Sequence, residues 1–278
     1  MTPSCPETVD IARRGAFRVT AVSDAYYRQL AANEFEPTEH VQGAWAQVEQ
    51  HMSPVGGLLA HAIENHEPRP ELQLARINYE ILGQIRLAPT TVRVEVVRPG
   101  RTIELVQATA EIDGRAVVRA NAWRLLRGDT SAVAGTEDEP MPGPDDFPDW
   151  DGTQAWPGGY IASLQLRRDP LTRPGCGRTW VRSDKALVAG SPTTSVAHFL
   201  RLVDTANGVA TRQDPRVWMF PNTDLTVHLY RTPVGDWVGF DTSVSFGPTG
   251  VGLTSSILHD VEGPVGRAEQ ILTVRPLG

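Results

Sequence analysis

Two residues carry the clearest chemical signal in this 278-residue chain, Asp204 and Gln270. Asp204 closes an apolar helical run of Val196, Phe199, Leu200, Leu202 and Val203. A carboxylate there meets the negative end of the helix dipole and gains nothing from it. The competing reading is a solvated helix end beside Arg201. Gln270 stands in the last strand-like run. Arg267, Glu269 and Thr273 share one parity of that run, whereas Gln270 shares the other with Ala268, Leu272 and Val274. An amide on an apolar face is costly unless it has partners, and a core Gln bonded to backbone is the alternative. A carboxylate can take a proton from water, and side-chain amides or hydroxyls can hold that water in place.

Other chemistries find little footing. Seven histidines (His40, His51, His61, His66, His198, His228 and His259) form no HExxH or comparable ligand pattern, so no metal site is expected. There is no GxSxG elbow, no Walker sequence and no GxGxxG. Cys5 and Cys176 have neither disulfide-framework nor metal-type spacing. The formal charge of −7 comes from 26 basic and 33 acidic residues, and residues 128–152 hold eight of the acids with no base. The rest of the chain is nearly neutral and has no basic stripe, so nucleic acid is not an expected partner. No apolar run is long enough for a membrane span, and the first residues lack the apolar region of a secretory signal. A cytoplasmic address is the expectation.

The elements that must position the two residues repeat. The stretch from Gly128 to Gln154 is rich in Gly, Pro and Asp, lacks an apolar period and reads as a linker. It separates a first unit, residues 1–127, from a second, residues 155–278. In the first, Ser53 to Glu64 predicts a helix with Ser53 as its cap and Pro54 in its first turn. Strands are predicted at Leu72–Ile81, Thr91–Val97, Thr102–Ile112 and Ala116–Leu126, with turns at Pro99-Gly100 and Asp113-Gly114. In the second, Ser191-Pro192 opens a predicted helix from Thr193 to Asp204, stopped by Asn207-Gly208. Strands follow at Leu225–Tyr230, Trp237–Phe246, Gly252–Val261 and Val265–Val274, and Glu262-Gly263 takes the place of Asp113-Gly114. One helix and four strands, twice, predict an α+β chain in which each helix lies against an antiparallel sheet.

The run Met52-Ser53-Pro54-Val55-Gly56-Gly57-Leu58-Leu59-Ala60-His61-Ala62-Ile63 is followed by Leu74-Ala75-Arg76-Ile77-Asn78-Tyr79-Glu80 and by Val97-Arg98-Pro99-Gly100-Arg101-Thr102-Ile103-Glu104. This order resembles the double-hotdog acyl-CoA thioesterases, the type II family and its actinobacterial thioesterase-like relatives. The resemblance covers most of the chain from near Phe35 and is weaker in the second half. It implies a double hotdog, two tandem units each an antiparallel sheet wrapped around a central helix. It also implies an acyl-CoA thioester hydrolase that uses direct attack by water, with the CoA thioester as substrate, no resident cofactor and further dimerisation.

The resemblance extends to single residues. The family's catalytic Asp follows the second-half helix and matches Asp204, and its catalytic Gln in the last strand matches Gln270. Its hydroxyl residue, at the start of the strand after the helix, falls on Asn222, with Thr223 next to it. Thr223 has the parity of Leu225, Val227 and Leu229, whereas Asn222 pairs with Asp224, and either side chain can orient water. An Asn at this position departs from the family, which keeps a non-catalytic acyl or acyl-CoA binding protein as the alternative. A hotdog hydratase is a weaker third option, because its loop with a spaced Asp and His is not found.

Helix-start amides are expected to steady the oxyanion. Gly56 and Gly57 would let a thioester approach closely, or simply allow close helix–sheet packing. Thr193 and Thr194, at the second helix start, are counted with them as substrate-binding candidates. The segment Phe35 to Trp45 reads as a wall of an acyl pocket or as a core-covering loop. Asn121, the counterpart of Gln270 in the first half, reads as structural or as a relic of a second site.

Overall fold

The computed structural model describes residues 24–277, so Cys5 and the leader-free N-terminus expected above lie outside the described residues. Strands β1 (Ala25–Ala31) and β2 (Glu34–Pro37) precede helix α1 (Met52–Asn65). Strands β3 (Leu72–Ile81), β4 (Thr90–Arg98), β5 (Ile103–Ile112) and β6 (Arg115–Leu126) follow it. Beyond residue 150 come the short helix α2 (Gly159–Ala162) and strands β7 (Gln165–Arg168), β8 (Cys176–Arg182) and β9 (Ala186–Val188). Helices α3 (Ser195–Leu200) and α4 (Ala206–Val209) lead to β10 (Trp218–Met219), β11 (Asp224–Leu229), β12 (Val238–Phe246), β13 (Val251–Asp260), β14 (Gly263–Thr273) and β15 (Arg275–Pro276).

Thirteen of these strands form one sheet in the order β7-β8-β12-β13-β14-β11-β3-β6-β5-β4-β2-β1-β9, and β10 pairs separately with β15. All pairings in the large sheet are antiparallel except β1 with β9. From the central pair β11–β3 the order runs outward as β14, β13, β12 on one side and β6, β5, β4 on the other. On each side the first strand after the helix is therefore followed by the fourth, third and second, an internal twofold built from the repeat seen in the sequence.

Side-chain alternation sets which face is buried. In β5, Val106, Ala108, Ala110 and Ile112 turn inward, and Ala120 and Ala122 of β6 join them. These small residues leave room for α1, whose residues from Met52 to Ala60 are all buried. The Asp113-Gly114 turn has positive φ at both residues (49° and 72°), as a two-residue hairpin of this hand requires.

Two helix expectations need correction. The cap of α1 is His51, whose Nδ1 accepts from the Ser53 amide at 3.1 Å, so Ser53 lies inside the first turn. The second-half helix is not continuous from Thr193 to Asp204. It starts after the Thr194 cap, ends at Leu200, and is followed by a 3-10 turn at Val203–Thr205 and by α4, which contains the supposed stop Asn207-Gly208. Every residue from Phe199 to Asn207 is buried, so the segment has no solvent face for an amphipathic helix to turn outward.

The acidic Gly/Pro-rich stretch lies against the second half. Met141 and Phe147 are buried with Trp180, whose indole donates to the Pro142 carbonyl at 2.8 Å. Arg167 pairs with Asp145 and Asp149, and Arg267 with Asp138. Among the described residues no helix is long and apolar enough to cross a membrane.

Candidate active site

Asp204 sits in the 3-10 turn that interrupts the second-half helix and is buried to 6% exposure. Gln270 projects inward from β14 at 1% exposure, on the parity shared with Ala268 and Leu272. Asn222 precedes β11 and bridges to Leu272 of β14, which sets it beside Gln270. Both amides donate to one oxygen, Asp204 Oδ1: Asn222 Nδ2 at 2.7 Å and Gln270 Nε2 at 2.8 Å. The Asn222 amide also donates to the Asp224 carbonyl at 3.0 Å. Gln270 Oε1 is buried and accepts from no protein donor among the described residues.

Burial pushes the Asp204 carboxyl up to about 7, against the two amide hydrogen bonds that pull it down. The tug leaves a carboxyl that changes charge near neutrality, as a general base requires.

The second oxygen, Oδ2, lies 3.8 Å from His51 Nδ1. His51 is stacked on Tyr160, with ring centroids 4.1 Å apart and planes inclined by 26°. The Tyr160 hydroxyl is in turn hydrogen-bonded to Thr205 Oγ1 at 2.7 Å. Burial pushes the His51 imidazole down to about 3, so it is neutral. The sequence pattern assigns His51 no role beyond one of seven histidines without a ligand pattern, and its position directly before a helix-opening Met-Ser-Pro is the signal that points to it.

Asp204, His51 and Asn222 border a cavity of about 240 Å³ that is otherwise largely apolar, with Trp45, Met52, Ile85 and Trp156 among its walls. Trp45 packs edge-on against Trp156 and Phe220, with centroids 4.8 and 5.2 Å apart. The end of the Phe35–Trp45 segment therefore lines this cavity, through Gly43, Ala44 and Trp45.

The other candidates fall elsewhere. Thr223 is exposed, and among the described residues only its backbone is engaged, with Ile271 and Ile81. The alternation of β11 does not reach back to it, because the strand starts irregularly at the Asn222 bridge. Gly56 and Gly57 lie in the second turn of α1, where amides have intrahelical acceptors, and neither lines the cavity. Thr194 caps α3 and is bonded to Glu64, and neither it nor Thr193 lines the cavity. Asn121 is only partly buried and points away from the core face of Ala120 and Ala122, exchanging hydrogen bonds with Gln107 and Asn78. Among the described residues it has no carboxylate partner of the Asp204 kind.

The two glycines differ sharply in their surroundings. A Cβ on Gly57 would fall 2.4 Å from Arg201 Cβ and 2.8 Å from its Cα, at the crossing with the α3 end. A Cβ on Gly56 would find ordinary contacts, the nearest being 3.5 Å to the Tyr79 ring. Gly57→Ala is therefore expected to lower stability by about 1–3 kcal/mol. Gly56→Ala is expected to hold it or raise it by up to about 1 kcal/mol. Thermal melts of the two variants check this, and a Gly57→Ala protein melting with the wild type would show that the crossing is slack.

The profile of the Acyl-CoA thioesterase N-terminal domain matches residues 41–125, and that of the Acyl-CoA thioesterase C-terminal domain matches residues 140–274. Among solved structures, a hot dog fold protein from Alicyclobacillus acidocaldarius is similar at a TM-score of 0.70 and 16% identity, covering 92% of this chain and 97% of its own. The acyl-CoA thioesterase II TesB2 of Mycobacterium marinum is similar at 0.63 and 16%, covering 92% and 96%. The tesB protein of Mycobacterium avium subsp. paratuberculosis is similar at 0.60 and 16%, covering 90% and 96%. No curated protein matches the chain in sequence. The likeness in architecture makes the α+β fold a double hotdog. Matching both halves of one family across most of its length, the chain belongs to the acyl-CoA thioesterases.

Proposed function

We propose that the protein hydrolyses acyl-CoA thioesters by direct attack of water, with Asp204 as general base and Asn222 and Gln270 as the amides that orient it. The observation that carries this reading is the convergence of both amides on Asp204 Oδ1 beside an apolar cavity. With Oδ1 so occupied, the carboxylate is held in one orientation and Oδ2 is left to take a proton. Asn222 supplies the donor that the resemblance assigns to a hydroxyl, so the departure from the family keeps the hydrogen bond to the base.

In this mechanism the water oxygen bonds to the thioester carbonyl carbon as its proton passes to Asp204. The carbonyl electron pair moves onto oxygen. Collapse of the tetrahedral species breaks the carbon–sulfur bond, and the proton on Asp204 passes to the departing CoA sulfur. The first-turn amide of Met52, which has no intrahelical acceptor and belongs to a residue lining the cavity, is a donor for the oxyanion. The tryptophan-walled cavity takes the acyl group and keeps bulk water from the reacting centre.

Release of free CoA thiol from a panel of acyl-CoAs, short to long and aromatic, tests the reading. Turnover is expected, with kcat/KM rising as pH passes about 7, because the base acts only when ionised. A panel that binds but is never hydrolysed would instead favour the non-catalytic acyl-CoA binding protein. A flat pH profile would remove Asp204 as the base.

A further inference from the structure

The imidazole of His51 is held more firmly than capping a helix requires. Its Nδ1 accepts from the Ser53 amide at 3.1 Å. One face is stacked on Tyr160, itself tied to Thr205 next to Asp204. Because Nδ1 is the acceptor, the ring proton of the neutral imidazole belongs on Nε2. Nε2 meets no protein acceptor among the described residues, although the residue is largely buried (14% side-chain exposure) and lines the cavity. An N–H donor without a protein acceptor among the described residues, fixed in direction and open to a substrate cavity, is a group prepared for a ligand oxygen.

Charge supports the same conclusion. A cationic imidazole 3.8 Å from Asp204 Oδ2 would pair with the carboxylate and weaken it as a base. Burial keeps the ring neutral, so it donates a hydrogen bond without competing for the water's proton. A neutral imidazole beside a helix start can polarise a carbonyl in this way. Water on Asp204 attacks a carbon about 3–3.5 Å away, which places the thioester carbonyl among the wall residues His51 and Met52.

We propose that His51 donates its Nε2–H to the thioester carbonyl oxygen and stabilises the oxyanion that forms there, a catalytic role that rests on the thioesterase reading above. The side chain joins the Met52 amide as a second donor, and its own Nδ1 contact to Ser53 aims it.

The test uses His51→Asn and His51→Gln in the full chain, with Asp204→Asn alongside. Asparagine is a strong helix cap and keeps an acceptor near the Nδ1 position, but it has nothing at Nε2. His51→Asn is expected to melt with the wild type and to lose about 10²–10³-fold in kcat, with KM little changed and the pH midpoint near 7 unmoved. His51→Gln, whose longer amide reaches toward the Nε2 position, is expected to recover part of that kcat despite a poorer cap. A His51→Asn enzyme turning over at the wild-type rate while Asp204→Asn is dead would overturn the donor role alone. So would a shifted pH midpoint, which would mean that His51 only tunes Asp204, or activities that simply follow the melting temperatures. A wild type that hydrolyses no thioester would end the thioesterase reading and this inference together.

Discussion

Asp204→Asn is expected to cut kcat by at least about two orders of magnitude and, at pH 8, to melt above the wild type. The asparagine oxygen can still accept from Asn222 and Gln270, so the network around Oδ1 survives while the proton acceptor is gone. The stability gain follows from linkage. Burial raises the Asp204 carboxyl from 3.8 to about 7 in the folded protein. Between those values the folded chain retains a proton that the unfolded chain has lost, so stability falls as pH rises through that window and the loss is complete above about 7. The wild type therefore carries the full penalty of a buried carboxylate at pH 8, on the order of 4 kcal/mol at most, and none below pH 4. Steady-state thiol release, with melts at low and high pH, measures both effects. Undiminished turnover would end the assignment of Asp204 as base. A stability difference that does not change with pH would contradict the buried, raised carboxyl.

Arg124→Met is expected to cost about 3–5 kcal/mol of stability, the usual consequence of leaving a buried charge without its partner. Arg124 of β6 and Glu104 of β5 are each only 4% exposed. The Arg124 Nε donates to Glu104 Oε2 at 2.7 Å. Its Nη1 reaches the Ile63 and His66 carbonyls at 3.3 and 3.2 Å, satisfying acceptors at the C-terminal end of α1, where a cation also suits the dipole. One guanidinium thus fastens to the sheet the same helix whose opposite end carries His51 and Met52. Arg69 also pairs with Glu104, but at 3.6 Å and from a more exposed side chain, so it offsets only part of the loss. Adding Glu104→Met to Arg124→Met is expected to restore much of the loss, since the stranded carboxylate is then gone. Denaturant unfolding of the single and double variants decides the matter, and a double variant no more stable than the single one would refute the charge argument.

Much of the fold is legible in local patterns. Strand β3 coincides with the predicted Leu72–Ile81, and the other seven predicted strands, β4 to β6 and β11 to β14, fall within a residue or two of their limits, whereas β1, β2, β7 to β10 and β15 are additional. The helices are less legible. Ser53 is a good cap by type, yet His51 does the capping, and the second-half helix breaks where every residue is buried. Propensity and end signals describe a helix in water, whereas this segment is buried from Phe199 to Asn207 and packs closely against α1 at Gly57.

The sequence by itself determines the twofold repeat of one helix and four strands and the inward direction of Gln270, because alternation with a period of two is a local property of a strand. It also singles out Asp204, although not for the right reason, because α3 ends at Leu200 and Asp204 stands in the first turn of the 3-10 segment, not at the end of that helix. The tertiary structure alone decided that Asn222, and not Thr223, meets Asp204, that His51 lies beside them, and that Gly57, unlike Gly56, has no room for a side chain against Arg201. These outcomes depend on which strands become neighbours in the sheet and on where regular pairing stops. Residues far apart in the chain then meet around a single carboxylate, and no local pattern encodes such a meeting.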